Sequence, residues 1–227
     1  MLTLDGSFGE GGGQILRTAL ALAICTQLPF HITQIRAARK KPGLQPQHLA
    51  AVNAAATISH AQVQGATTGS VELRFTPQKV QAGHYHFNIG TAGSTMLVLQ
   101  TILPAMALAD KPSTVTLEGG THNPFAPPFN FIKKSFLPLF NKMGPRVSTT
   151  LECPGFAPQG GGKVHVNIEP TAHLQPLLLT DRGDILQRYA EVLIAHLPVH
   201  IAKRELSVIH NNLAYPEHDL HTYVNNK

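Results

Sequence analysis

The sequence predicts a mixed α/β (α+β) fold made of tandem β-α-β-α-β-β units, with helices packed on one face of four-stranded sheets. Three observations predict it. Short apolar stretches of period two alternate with longer stretches of helical period. One order of landmarks (strand, glycine turn, helix, strand, polar loop, helix, two strands) recurs after roughly 80 residues, a spacing larger than solenoid repeats, so a duplicated domain is indicated rather than an array. Of the 227 residues, 43% are hydrophobic and only 14% charged, a balance that supports a packed core rather than disorder.

The elements follow in order. Residues 1–4 form a short apolar strand. Residues 14–26 form a helix with Ile15, Leu16, Ala19, Leu22 and Ala23 at core spacing, and Pro29 helps to stop it. Residues 30–35 alternate weakly as a strand, and a basic loop (Arg36, Arg39, Lys40, Lys41) leads to an Ala-rich helix over 45–60. Val63, residues 71–75 and then 84–89 read as strands bounded by Gly and Pro. Gly90-Thr91-Ala92-Gly93-Ser94 repeats the glycine turn, followed by an apolar helix over 96–109 and a strand over 115–117. A polar loop, 119–128, precedes a helix over 129–143 and strands over 147–151 and 164–168. The first unit is residues 1–80 and the second 81–183.

After Pro170 the texture changes. Residues 177–180 read as a strand, 185–195 fit either strand or helix, and 197–213 form an amphipathic helix exposing Lys203, Arg204 and Glu205. Residues 218–224 begin a strand for which no partner follows, an unprotected edge that makes the chain read as unfinished.

Lys and Arg exceed Asp and Glu by five charges, and the pI is near 9.4. That surplus fits a phosphate-bearing partner. Cys25 and Cys153 form neither a metal pattern nor a disulfide framework, which points to a reducing cytoplasm. The 13 histidines are scattered; His84-x-His86 and His218-x-x-His221 lack a second ligand pair and read as solvated or hydrogen-bonding groups. No signal peptide is evident, and the longest apolar segment, 96–109, is too short to span a bilayer.

The chemistry concentrates at Gly9-Glu10-Gly11-Gly12-Gly13-Gln14-Ile15-Leu16-Arg17. A glycine turn feeding a helix offers free N–H groups and the positive end of the helix dipole to an anion. The bland alternative is a flexible turn. Gln14 stands where both the Walker and the Rossmann patterns need other residues, so neither standard nucleotide loop fits. Glu10, an acid in an anion-friendly loop, calls for a metal or another cation. Arg36, Arg39 and Lys41 read either as a solvated cluster or as phosphate ligands. Gln100 reads either as a locally bonded polar residue or as a ligand contact. Pro127-Pro128 reads as a helix start or as a packing surface.

Taken together, these blocks resemble the RNA 3′-terminal phosphate cyclase family. They are Leu4-Asp5-Gly6 with the glycine run through Arg17; Ile35-Arg36-Ala37 with Arg39 and Lys41-Pro42-Gly43-Leu44; Gln47-His48-Leu49; Ile89-Gly90 with Ala92-Gly93-Ser94; and residues 97–101. Gly119-Gly120-Thr121 with Asn123-Pro124 and Ala126-Pro127-Pro128, and Pro158 with Gly160-Gly161-Gly162, complete the set, in order over essentially the whole chain. The resemblance implies an enzyme that uses ATP and a divalent metal, Mg or Mn, to adenylate its own histidine. AMP then passes to an RNA 3′-phosphate, and the neighbouring 2′-OH closes a 2′,3′-cyclic phosphate. It implies repeated two-helix, four-stranded units with a small inserted α/β domain, which residues 184–227 would begin.

By the same resemblance Arg17, Arg36 and Arg39 are forked donors to ATP phosphates or the RNA terminal phosphate. Glu10 is the metal ligand, and Gln47 bonds a phosphate or orients the metal shell. Gln100 contacts ATP, and Pro127 or Pro128 packs on adenine. The partners implied are ATP and RNA bearing a 3′-terminal phosphate, with no membrane; self-association through a sheet edge stays open. No residue matches the family's nucleophilic histidine, which lies in the last third, and His210, His218 and His221 lie in the wrong context. A third core unit is also missing. The chain alone is therefore expected to be inactive. Two rivals remain: a non-catalytic cyclase-like protein in ribosomal RNA processing, and a truncated product without function. Retention of Glu10, Arg17, Arg36, Arg39 and Gln47 argues against the first. A lysine-adenylating ligase is rejected because Thr3 stands where Lys-x-Asp-Gly needs its lysine.

Overall fold

Two four-stranded sheets share one strand order. Strands β1 (Leu2–Asp5), β2 (Phe30–Thr33), β3 (Gln62–Gln64) and β4 (Leu73–Thr76) are arranged β1-β2-β4-β3. Strands β5 (His84–Asn88), β6 (Ser113–Gly119), β7 (Arg146–Cys153) and β8 (Gly162–Glu169) are arranged β5-β6-β8-β7. In each sheet the first pair is parallel and the others antiparallel. The period-two pattern explains which face is covered. Phe30 and Ile32 of β2 are buried while His31 and Thr33 are not, and along β6 every second residue is buried.

The helices are α1 (Gly13–Thr26), α2 (Pro46–Ser59) and α3 (Thr95–Met106). α3 packs against both α1 and α2. Its apolar sequence is buried nearly all round, so one continuous core runs through both repeats. Phe30 and Phe75 pair in it with ring centroids 5.7 Å apart.

This computed structural model describes residues 1–225. The chain divides into two compact units, Met1–Leu177 and Leu178 onward. The second unit holds β9 (Ala190–Ala195), α6 (Val199–Leu213) and β10 (Leu220–Asn225), with Val192, Ile194, Ala202 and Leu206 as its small core. Among the described residues no helix is long and apolar enough to cross a membrane.

Four expectations need correction. The strand at 218–224 has a partner: β10 pairs in parallel with β9, and α6 is the crossover that a parallel pair requires. Residues 177–180 form no strand. Leu22 is exposed, and Leu20 and Ile24 take the core positions instead. The helix expected over 129–143 is interrupted. α4 (Phe129–Phe131) runs into a π-helical stretch, Ile132–Phe136, before α5 (Leu137–Asn141). Pro138 is the cause we assign: it has no N–H for the carbonyl one turn earlier, and its ring would crowd that carbonyl, so the turn widens and Leu137 N–H reaches Ile132 O.

Candidate functional site

The chain leaves β1 at Asp5. Its Oδ1 accepts from the Ser7 N–H at 2.9 Å and the Ser7 hydroxyl at 2.7 Å, and these bonds hold the carboxyl below its ordinary range. Gly9 (φ 60°) and Gly11 (φ 58°) then take left-handed backbone that favours glycine. α1 starts after Gly12 with no side-chain cap and no acid in its first turn, so its leading N–H groups stay available. The equivalent turn of the second repeat is closed. There Ser94 Oγ caps the Leu97 N–H at 3.3 Å, and Asn123 Nδ2 donates to Ala92 O. The two sheets of like strand order thus differ here, one with an open helix start and one with a sealed one.

Four side chains converge on the open start. Arg17 is 9% exposed and donates from Nη2 to Gln14 Oε1 at 3.0 Å. Its Nε is buried without a partner, and among the described residues no carboxylate pairs with it. Burial pushes its pKa down, because the cation has lost water. Arg39 Nη2 pairs with the Glu10 carboxylate and donates to the Glu10 carbonyl at 3.1 Å. Arg36 turns inward: its Nη1 donates to Lys41 O at 2.6 Å and Gly43 O at 2.9 Å, fixing the basic loop.

The fourth is His48, in the first turn of α2. Its Nδ1 accepts the Gln45 N–H at 3.1 Å, so the neutral ring carries its proton on Nε2. A Cβ on Gly13 would lie 2.3 Å from that Nε2 and 2.9 Å from Arg17 Nη1. A side chain at position 13 would force His48 or Arg17 to shift. Burial first, then Arg36 and Arg17, push the His48 pKa down to about 4.

The His48 shift makes stability depend on pH. Unfolded, the ring takes up its proton near pH 6.5, but folded only near 4. Between those values the unfolded chain binds more protons, so this contribution is full above 6.5 and shrinks as pH falls through the window. Urea midpoints should drop from pH 7 to pH 5, and more steeply than in His48→Gln. His122, also pushed down by burial, should leave that variant a residual slope. Equal slopes in both proteins would refute the assignment.

A groove of about 400 Å³ begins at Arg17 and Gln14 and runs past Met96, Leu99 and Gln100 to Pro127. Its far wall is the end of α4 and the π-helical stretch, through Phe131 and Phe136, and the exposed Leu22 lines it too. The structure therefore brings Arg17, Gln100 and Pro127 together along one groove. Pro128 is exposed as the cap of α4 and does not line it. Glu10 and Arg39 sit together at the glycine loop. Gln47 points elsewhere: its Oε1 accepts the Ser94 N–H at 3.4 Å and ties α2 to the second repeat. Sequence reasoning singled out no role for His48, although its place beside Gln47 at a helix start was a usable signal. Among the described residues no three His, Cys, Asp or Glu cluster as a metal cage.

Chemically, this arrangement can take an anion at an uncapped helix start that opens into a largely apolar groove. The sequence profile of the RNA 3′-terminal phosphate cyclase family matches residues 8–215. An RNA 3′-terminal phosphate cyclase from Koribacter versatilis (strain Ellin345) is 57% identical over 213 residues, covering 94% of this chain and 60% of that protein. The chain thus spans about 60% of the length of this curated relative.

Proposed function

Because the chain belongs to the RNA 3′-terminal phosphate cyclase family, we propose that its open helix start binds phosphoryl groups for ATP-dependent cyclisation of RNA 3′-phosphates. The observation that carries this reading is Arg17, a buried cation with an orphan Nε at an uncapped helix start. A buried charge without a partner is costly, and an anionic ligand would relieve that cost. Arg17 and the α1 N–H groups would hold the anion, with His48 Nε2–H as a neutral donor. The apolar groove with Gln100 and Pro127 would take the adenosine of ATP.

The donors also suit a divalent metal of the Mg or Mn kind. Such an ion is usually held by one or two carboxylates plus phosphates and water rather than by an all-protein cage. Glu10, an exposed carboxylate of the glycine loop, can serve in that way once Arg39 releases it. The ion would neutralise phosphate charge, and ATP would supply the AMP that activates the RNA end. Arg39, freed from Glu10, would then reach the anion. The family resemblance gives none of the residues discussed above the role of the nucleophilic histidine, so the proposed role of these residues is to bind ATP and RNA ends, without labelling by AMP. The two free cysteines suit a reducing, cytoplasmic setting.

Calorimetry tests the reading. An oligoribonucleotide ending in a 3′-phosphate should bind at least about tenfold tighter than the same strand ending in 3′-OH, the difference expected for one charge-assisted contact set. ATP should bind in the presence of Mg²⁺ or Mn²⁺. Equal affinity for the two strands, with no heat from ATP, would overturn the proposal. Labelling of the chain by radioactive ATP would overturn only the expectation of no adenylation.

A further inference from the structure

Two phenylalanines stand in water, one on the glycine loop at the open helix start and one on the loop that carries the groove residue Pro127. Phe8 is 79% exposed in the glycine loop, two residues before Glu10. Its backbone is pinned, with its N–H on Asp5 O at 3.4 Å and its carbonyl accepting from Gly11 N–H at 3.1 Å. Phe125 is 107% exposed, two residues before the groove residue Pro127. Its loop is anchored at both ends, by Asn123 on Ala92 O and by Phe129 N–H on Thr121 O at 2.9 Å. Among the described residues neither ring packs against another ring or a cation. Phe125 also adopts φ 61°, a left-handed backbone that bulky residues rarely take. A large apolar ring held outward on strained backbone is the kind of outlier that marks a contact site.

Core packing accounts for neither ring. The Phe131 and Phe136 rings are half-exposed but line the groove, whereas Phe8 and Phe125 lie outside it. The loop that carries Phe8 has cations beside it: Arg39 pairs with Glu10, and Lys40 and Lys41 are exposed on the loop that carries Arg39. Exposed aromatic faces beside cations suit single-stranded nucleic acid, whose bases stack on the rings while the cations follow the phosphates. A membrane or a protein partner would want a continuous apolar patch instead.

We propose that Phe8 and Phe125 are stacking platforms for unpaired nucleobases of the strand whose 3′-phosphate enters the anion site. This rests on the function proposed above and adds a base-contacting subsite to it. Stacking on a π-face is tolerant of base identity, so the platforms would grip the end of the strand without reading its sequence. ATP is the other source of a base, but its adenosine is assigned to the groove at Gln100 and Pro127.

The test is anisotropy with a 3′-phosphorylated oligoribonucleotide, together with a 2-aminopurine reporter placed at the last nucleotides. Phe8→Ala and Phe125→Ala should each weaken RNA binding by about tenfold, the usual loss for one stacked base. They should also diminish the quenching of 2-aminopurine and leave ATP affinity unchanged. Tyrosine at either position should retain affinity, and leucine should not. A strand with abasic terminal positions should bind weakly and ignore the substitutions. If RNA binds but is indifferent to both alanine variants, or leucine restores it, the platforms are refuted and the anion site stands. If ATP affinity falls instead, the rings serve the nucleotide. If no 3′-phosphorylated strand binds the unaltered protein, the proposed function fails and this inference fails with it.

Discussion

Arg17→Met is expected to lower affinity for a 3′-phosphorylated strand and for ATP by about 100-fold while leaving the protein as stable or more stable. The size follows from what the guanidinium would contribute: truncating one partner of a buried, hydrogen-bonded charge pair costs about 2–5 kcal/mol. The sign on stability follows from the free protein. Arg17 is buried, carries a depressed pKa for that reason alone, and has an Nε that meets nothing. Methionine has similar reach and no charge to desolvate, so replacing the arginine should stabilise the fold by about 1 kcal/mol.

A core residue cannot behave this way. Leu16, the residue just before it in the same helix, is 1% exposed, and its truncation should cost stability by the usual mechanism of a cavity. Arg17→Lys separates charge from geometry. Lysine keeps a cation but loses the fork, so partial recovery of affinity would show that charge dominates, and none would show that two-pronged geometry does. Calorimetry and urea unfolding on the same samples decide the matter. A variant that binds normally, or one that loses binding only because it unfolds, would exclude Arg17 as the anchor of the site.

The fold was legible in the sequence wherever the signal was periodic along the chain. β2 and β6 bury alternate residues as their patterns demand, and the recurrence of landmarks matches the common strand order of the two sheets. What failed was information that acts across the chain. β10 finds β9 through a crossover helix, which local reading of an ambiguous stretch could not show. Leu22 satisfies helical spacing yet faces the groove, because the covered face of α1 is set by where α3 and the first sheet lie. The π-helical stretch depends on one missing N–H at Pro138, too small a signal to outweigh a helical pattern. At the site, the residue types were legible but their engagements were not. That Glu10 and Arg39 hold one another, that Arg36 spends a nitrogen on its own loop, and that Gln47 reaches Ser94 are three-dimensional facts. His48 escaped because nothing in its sequence neighbourhood shows Gly13 beside it.

That contact yields the second large effect, from Gly13→Ala. By local rules the change should help. Gly13 opens α1 with φ outside the left-handed region, and alanine is favoured over glycine in helices by up to about 1 kcal/mol. Tertiary packing reverses this. The new Cβ would meet His48 Nε2 at 2.3 Å, His48 Cδ2 at 2.6 Å and Arg17 Nη1 at 2.9 Å, so at least one side chain must move. Moving His48 breaks its bond with the Gln45 N–H, and overpacking of this kind costs about 1–3 kcal/mol. Affinity for phosphate ligands should fall by about 100-fold, since displacement of positioned groups by about an ångström has effects of that order. The double variant Gly13→Ala with His48→Ala separates the causes. Removing the imidazole relieves its clash and should restore part of the lost stability, because the Gln45 N–H bond stays lost and Arg17 Nη1 is still crowded. If affinity stays low, His48 acts on the ligand through its Nε2–H. If affinity returns, the imidazole only filled space, and the anion is held by Arg17 and the N–H groups of α1.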